Sequence, residues 1–254
     1  MNFFDSKSAA ARYSTARPYF HPAIIDRIKI FLSLDEPVER ALDVGCGTGL
    51  STIALGAIAK KVMAVDSSLE MISLAPKDAA IDYVVASAHS LPVTNAGFDL
   101  MTLSQAFHWL DRDLFLEEAR RVLRPGGCLV VYDSYFVGRM KANEGFEGWF
   151  RPNYHKRFPP PWRTELSFSE EDSGNLGFHL LRYDRFAYGW RFSLTQVVDY
   201  LLTHSNVIAV VEYGDQELDA VRSWLSENTR PFFDNRDHSE FVFDGVIWYL
   251  QRPG

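Results

Sequence analysis

Apolar residues change their period several times along this chain, and each change marks an element. Between Ala23 and Leu34, Ile24, Ile25, Ile28, Phe31 and Leu32 recur at helical spacing, which predicts an amphipathic helix. Pro18 and Pro22 are expected to break any helix before it, and Asp35-Glu36-Pro37 to end it. Short apolar runs then alternate with helical patterns, giving expected strands near 39–44, 61–66, 82–86, 98–103 and 128–132. Ser67 and Glu70 have capping-box spacing, so the second crossover helix is expected directly after Asp66 with Ser67 as its cap. Asp111 caps a helix over 112–123, which Arg124-Pro125-Gly126-Gly127 stops.

After Tyr135 this rhythm fails. Residues 138–177 are rich in aromatics, arginine and proline, with Pro159-Pro160-Pro161 as a stiff spacer. An extended strand is expected from Phe178 to Phe192, helices over Leu194–His204 and Asp215–Asn228, and a β-prone last strand over 241–250. Alternating strands and helices of this kind predict an α/β fold, a doubly wound and mostly parallel sheet with ligands at its carboxyl edge. No domain boundary is expected within residues 1–254.

Composition removes several alternatives. The formal net charge is -7 and no long basic block occurs, so a nucleic-acid partner is not expected. Cys46 and Cys128 give no disulfide framework and fall at opposite edges of the expected sheet, which suggests a reducing, cytoplasmic setting. Neither they nor the scattered histidines form a metal-ligand pattern, so no metal is expected. No apolar run is long enough to span a bilayer, and the N-terminus reads as mature protein rather than a targeting segment. The pattern leaves oligomeric state open.

The candidate chemistry centres on Ala41-Leu42-Asp43-Val44-Gly45-Cys46-Gly47-Thr48-Gly49-Leu50. A strand, a glycine turn and a helix in this order bind nucleotides. A dinucleotide loop wants G-x-G-x-x-G, but here Leu50 takes the last position and the glycine comes early at Gly49. Asp43 sits badly beside a pyrophosphate and suits a cationic ligand such as S-adenosylmethionine. Asp66, ending the second strand, is placed to accept both hydroxyls of a ribose.

Asp43-Val44-Gly45-Cys46-Gly47-Thr48-Gly49 resembles the first motif of class I S-adenosylmethionine-dependent methyltransferases. Val65-Asp66-Ser67-Ser68-Leu69-Glu70-Met71-Ile72, Phe98-Asp99-Leu100 and Val122-Leu123-Arg124-Pro125-Gly126-Gly127 are similar to later elements of that family, in order and spacing. Gln105-Ala106-Phe107-His108-Trp109, with Tyr13 and Arg17-Pro18-Tyr19, is similar to the trans-aconitate-type small-molecule branch. The resemblance implies a Rossmann-like sheet of seven strands in the order 3-2-1-4-5-7-6, the last antiparallel. It also implies an N-terminal lid and helix (1–37), a cofactor-binding core (38–135), a helical substrate-side elaboration (136–240) and a closing strand (241–251).

The cofactor it implies is S-adenosylmethionine, leaving as S-adenosylhomocysteine. Asp43, Gly45, Gly47 and Gly49 would surround its methionine part and Asp66 its ribose, with Ser67 beside it and Met71 along the adenine. Ser87 and Ala88 stand where many relatives have an aspartate and an alanine, Gln105 lies near the methionine moiety, and Tyr13 belongs to the lid. Arg17, Tyr19, His108 and Trp109 are candidate substrate contacts, and His108 a candidate general base. Arg139, Arg151, Arg157 and Arg163 could hold an anionic substrate. The expected reaction is methyl transfer to a small molecule, at a carboxylate or hydroxyl oxygen. The alternatives are a carbon, nitrogen or protein acceptor, or a non-catalytic cofactor-binding regulator.

Overall fold

The structure is a computed structural model that describes residues 3–163, 174 and 176–254. Helix α1 (Lys7–Ala16) is capped by Ser6, whose hydroxyl accepts from the Ala9 amide, and α2 (His21–Phe31) follows. Both prolines were expected to break helices here, but only Pro18 separates the two. Pro22 lies in the first turn of α2, where no intrahelical N–H is needed. The alternating region then runs β1 (Val38–Val44), α3 (Leu50–Leu55), β2 (Ala59–Asp66), α4 (Leu69–Ile72), β3 (Ile81–Val85) and β4 (Phe98–Ser104). A 3-10 turn (Phe107–Trp109), α5 (Arg112–Val122) and the long β5 (Leu123–Met140) complete it.

Two local expectations change. The cap before α4 is Ser68, which accepts from the Met71 amide, so the Ser67–Glu70 capping box does not form. Strand five continues well past Tyr132, as far as Met140. Beyond it lie α6 (Gly145–Trp149), a π-helical turn (Phe150–Tyr154) and α7 (His155–Arg157). Residues 164–173 and 175, part of the aromatic and proline-rich stretch, lie outside the described residues. Strand β6 (His179–Ser193), α8 (Leu194–Leu201), α9 (Ser205–Glu212), α10 (Leu218–Phe233) and β7 (His238–Gln251) end the chain.

The strands form one sheet in the order β3-β2-β1-β4-β5-β7-β6, with β7 antiparallel, as expected. Parallel register places Asp43 opposite both Ala64 of β2 and Thr102 of β4. The order reverses between β1 and β4, which is the point where a doubly wound sheet opens a crevice at its carboxyl ends.

The chain divides into two compact units, with β5, β6 and β7 shared between them. One unit comprises Tyr19–Asp133, Arg163–Arg185 and Val246–Gly254. Its core packs Leu42, Val44, Val65, Met101 and Leu103 of the central strands against Phe115, Leu116, Ala119 and Val122, the inner face of α5. Asp111 caps that helix by accepting from the Leu114 amide. The other comprises Met1–Pro18, Ser134–Trp162 and Phe186–Gly245, with a core of Phe146, Phe150, Tyr154, Phe158, Phe192, Tyr200 and Phe241. Cys46 and Cys128 are both free and buried. Among the described residues no helix is long and apolar enough to cross a membrane, and no side-chain group could hold a metal ion.

Candidate cofactor site

The glycine loop lies wholly in the first of these units, and its shape follows from positive φ angles of 68° at Gly45, 53° at Gly47 and 82° at Gly49. Such angles cost an L-residue roughly 1–2 kcal/mol, which glycine avoids. Space excludes a side chain as well. A Cβ on Gly45 would come within 2.6 Å of Ala106 Cβ, and one on Gly47 within 3.1 Å of Met71 Cε. The loop is tied to β2 by the Gly45 and Cys46 amides, which donate to the Val65 carbonyl at 2.7 and 3.1 Å.

Asp66 ends β2, and its carboxylate is held from both sides. The Gly47 amide donates to Oδ2 at 2.8 Å and the Ser68 amide to Oδ1 at 2.9 Å. Its own carbonyl accepts from the Ala86 amide at 3.0 Å, which brings the start of the Ser87–His89 loop to the same strand end. An acceptor-only group, oriented by the loop it adjoins, is what a ribose diol requires. Thr48 of the loop and Ser104 at the end of β4 have buried hydroxyl oxygens without a hydrogen-bond partner among the described residues. Buried polar atoms of that kind are normally satisfied, so they mark a place for polar ligand atoms or water.

Asp43 points elsewhere. It is fully buried, and accepts from Ser51 Oγ at 2.6 Å, Thr52 Oγ1 at 2.7 Å and Thr102 Oγ1 at 2.9 Å. Burial pushes its pKa up, the three hydroxyls pull it back, and the Asp66 charge adds to the rise. The side chain thus fastens the first turn of α3 to β1 and β4 from within the core. It shapes the loop rather than reaching across it. Met71 is likewise buried beneath Gly47 and braces it.

At the end of β4 the chain makes a strained turn. Gln105 has a φ of 53°, a left-handed conformation unusual for a residue with a side chain, while its amide donates to the Tyr132 carbonyl at 3.1 Å. This turn puts Ala106 against Gly45 and leads into the turn that carries His108. The imidazole Nδ1 of His108 lies 3.3 Å from Asp133 Oδ2, and the Trp109 ring centroid lies 4.8 Å from that of His108. Sequence reasoning had not singled out Asp133. The available signal was that the apolar run of β5, like those of β1 and β2, ends its inner part in an acid.

The remaining candidates fall into place around these. Ser87 is exposed and its hydroxyl accepts from the His89 amide, while Ala88 is half-buried beside it. His89 Nε2 accepts from the Asp111 amide at 3.1 Å, pinning this loop to the start of α5. Ser67 is exposed, as is Tyr19, whose ring centroid is 6.2 Å from that of His21. His21 contacts the Tyr132 hydroxyl at 3.0 Å, and burial lowers its pKa to about 3, so it is neutral.

Tyr13 and Arg17 belong to the other unit, where the Arg17 guanidinium lies 4.5 Å from the Tyr13 ring and 5.3 Å from the Tyr200 ring. It also donates to the Thr203 carbonyl. Of the four arginines considered for anion binding, Arg139 pairs with Asp244 and Arg151 with Glu147, while Arg157 lies over Trp224. Arg163 lies over Trp109, 5.1 Å from its ring centroid.

A glycine loop after β1, an acid closing β2 and this strand order define a class I methyltransferase fold, and comparison with known proteins agrees. Residues 42–131 match the family model described as a methyltransferase domain. An uncharacterized methyltransferase-like protein of Schizosaccharomyces pombe is 34% identical over 254 residues, covering 97% of this chain and 94% of that one. Further proteins described as uncharacterized methyltransferases, from S. pombe and Mycobacterium bovis, are 34% and 36% identical and match along about half their own length.

Among solved structures, a protein described as a type II methyltransferase from Anaeromyxobacter dehalogenans has the same fold. Its TM-score is 0.72 at 23% identity, covering 93% of this chain and 98% of that chain. Phosphoethanolamine N-methyltransferase 2 of Haemonchus contortus, solved with phosphomonomethylethanolamine and S-adenosylhomocysteine, has a TM-score of 0.58 at 17% identity. That match covers 100% of this chain and 61% of that one. The chain belongs to the class I S-adenosylmethionine-dependent methyltransferases.

Proposed function

We propose that the protein transfers a methyl group from S-adenosylmethionine to an oxygen of a small-molecule acceptor. The observation that carries this reading is the anchored carboxylate of Asp66 beside three positive-φ glycines. In it Asp66 accepts from the ribose hydroxyls. Gly45, Gly47 and Gly49 let the backbone lie along the methionine part, and Gln105 faces the same end. Ser87 and Ala88 border the adenine. Asp43 and Met71 support the loop from behind, a different part from the direct contact first assigned to them.

The bound cofactor supplies an activated methyl group, so this chain's residues mainly orient the acceptor and exclude water. In this reading His108 and Trp109, on the turn that follows β4, meet the acceptor. The trans-aconitate-type branch is the subgroup favoured by Gln105-Ala106-Phe107-His108-Trp109. Two free buried cysteines suit a cytoplasmic location.

A thermal-shift comparison of S-adenosylmethionine, S-adenosylhomocysteine and NAD tests the reading. Ligand at about 100 times its Kd stabilises by about 2.7 kcal/mol. For a chain of this size that raises Tm by roughly 5–10 °C. Both sulfur nucleosides should give the rise; a rise with NAD alone overturns the proposal.

A further inference from the structure

His108 is one of seven histidines, and the structure gives it a partner from a distant strand. Its Nδ1 is 3.3 Å from Asp133 Oδ2, with the two side chains only 11% and 6% exposed. Asp133 follows Tyr132, which is opposite Ser104 in the β4–β5 register, so the acid stands where Gln105 turns out of the sheet. The Trp109 ring centroid lies 4.8 Å from that of the imidazole. Among the described residues no hydrogen bond reaches His108 Nε2. An ionised carboxylate only accepts, so an imidazole facing it through Nδ1 carries its proton there and has its lone pair on Nε2. A base oriented by a buried acid has this arrangement, and such contacts are often long before substrate binds.

We infer that Asp133 is the positioning residue for His108, and that the pair serves an acceptor arriving with its proton on, an alcohol or phenol hydroxyl. This rests on the methyltransferase reading above and narrows it. A carboxylate acceptor is already ionised at neutral pH and needs no base. Its charge would also be repelled by Asp133. An uncharged amine attacks through a lone pair it already has. A hydroxyl forms its new O–CH3 bond with an oxygen electron pair, while the pair of the breaking S–CH3 bond stays on sulfur. The O–H proton passes to Nε2 of His108, and the imidazolium so formed is balanced by the Asp133 carboxylate.

The tautomer of His108 tests the pair without an identified acceptor. Long-range 1H–15N spectra of labelled protein, with the ring assigned by its disappearance in His108→Gln, distinguish Nδ1–H from Nε2–H. The native ring should be Nδ1–H at a pH where it is neutral, with or without S-adenosylmethionine. Asp133→Ala should convert it to the Nε2–H form that free imidazole prefers. A native ring found as Nε2–H overturns the inference whether or not the variant folds, and so does an unchanged tautomer in a folded Asp133→Ala protein. Calorimetry on the native sample separates the two layers. Binding of S-adenosylmethionine with the wrong tautomer removes the dyad alone, whereas absence of binding removes the methyltransferase reading on which it rests.

Discussion

Each of the two compact units has its own kind of internal contact. In the unit with the glycine loop, acids reach backbone amides: Asp66 accepts from Gly47 and Ser68, Asp99 from Arg40, and Glu118 from Leu91. In the other unit rings meet rings, and Phe136 alone lies within 5.1–5.8 Å of Phe150, Tyr200, Phe241 and Phe243, measured between ring centroids. Directional bonds to the backbone fix a loop closely enough to fit one ligand. Aromatic packing depends on buried area and tolerates many substitutions of similar size. The matched family segment, residues 42–131, falls entirely within the first unit.

A pair of glycine substitutions probes this contrast most strongly. Gly45→Ala imposes a strained φ and drives a Cβ to 2.6 Å from Ala106. Gly138→Ala has a φ of 72° and runs its Cβ into the Phe150 ring. Strain and overpacking together should cost about 2–5 kcal/mol in each case. Chemical denaturation measures that loss. S-adenosylmethionine affinity of the folded protein should collapse only in Gly45→Ala. Equal loss of affinity in both variants would break the distinction.

A smaller effect compares one acid in each unit. The Arg121 guanidinium beside Glu118 holds its carboxyl below the usual value of 4.5, despite partial burial. Burial raises Glu212, but hydrogen bonds from Ser6 and Arg12 outweigh it and bring the pKa below 4.5. A lowered carboxyl pKa stabilises the folded state above the unfolded value, and that contribution is lost as pH falls through the folded one. Glu118→Gln and Glu212→Gln should therefore each cost about 1 kcal/mol at pH 7, since both pairs are partly solvated. The gap to the native protein should close below pH 4.5. Melting curves across pH check both, and a gap that widens in acid contradicts the assignment.

Much of the first unit was legible because local chemistry and fold agree there. Alternating periods located β1 to β4, and Asp111 marked the start of α5 correctly. Ser67 misled because two serines stand side by side, and only the backbone decides which one meets a free amide. Asp43 could be read as facing a ligand because its three hydroxyl partners come from α3 and β4 and leave no local trace. Asp133 escaped for the same reason, its partner lying on another strand's loop. In the aromatic unit, α9 holds an unbroken apolar run from Val207 to Val211 and the π-helical turn buries Phe150 and Tyr154, so neither shows a clean period.

The central claim is that Asp66 binds the ribose of S-adenosylmethionine, and isothermal calorimetry of Asp66→Ala addresses it directly. Two hydrogen bonds to a charged acceptor contribute roughly 3–6 kcal/mol, so affinity should fall about 10²- to 10⁴-fold. The variant must keep its cooperative melting for the comparison to count. Affinity within about twofold of the native protein, roughly 0.4 kcal/mol, would contradict the account.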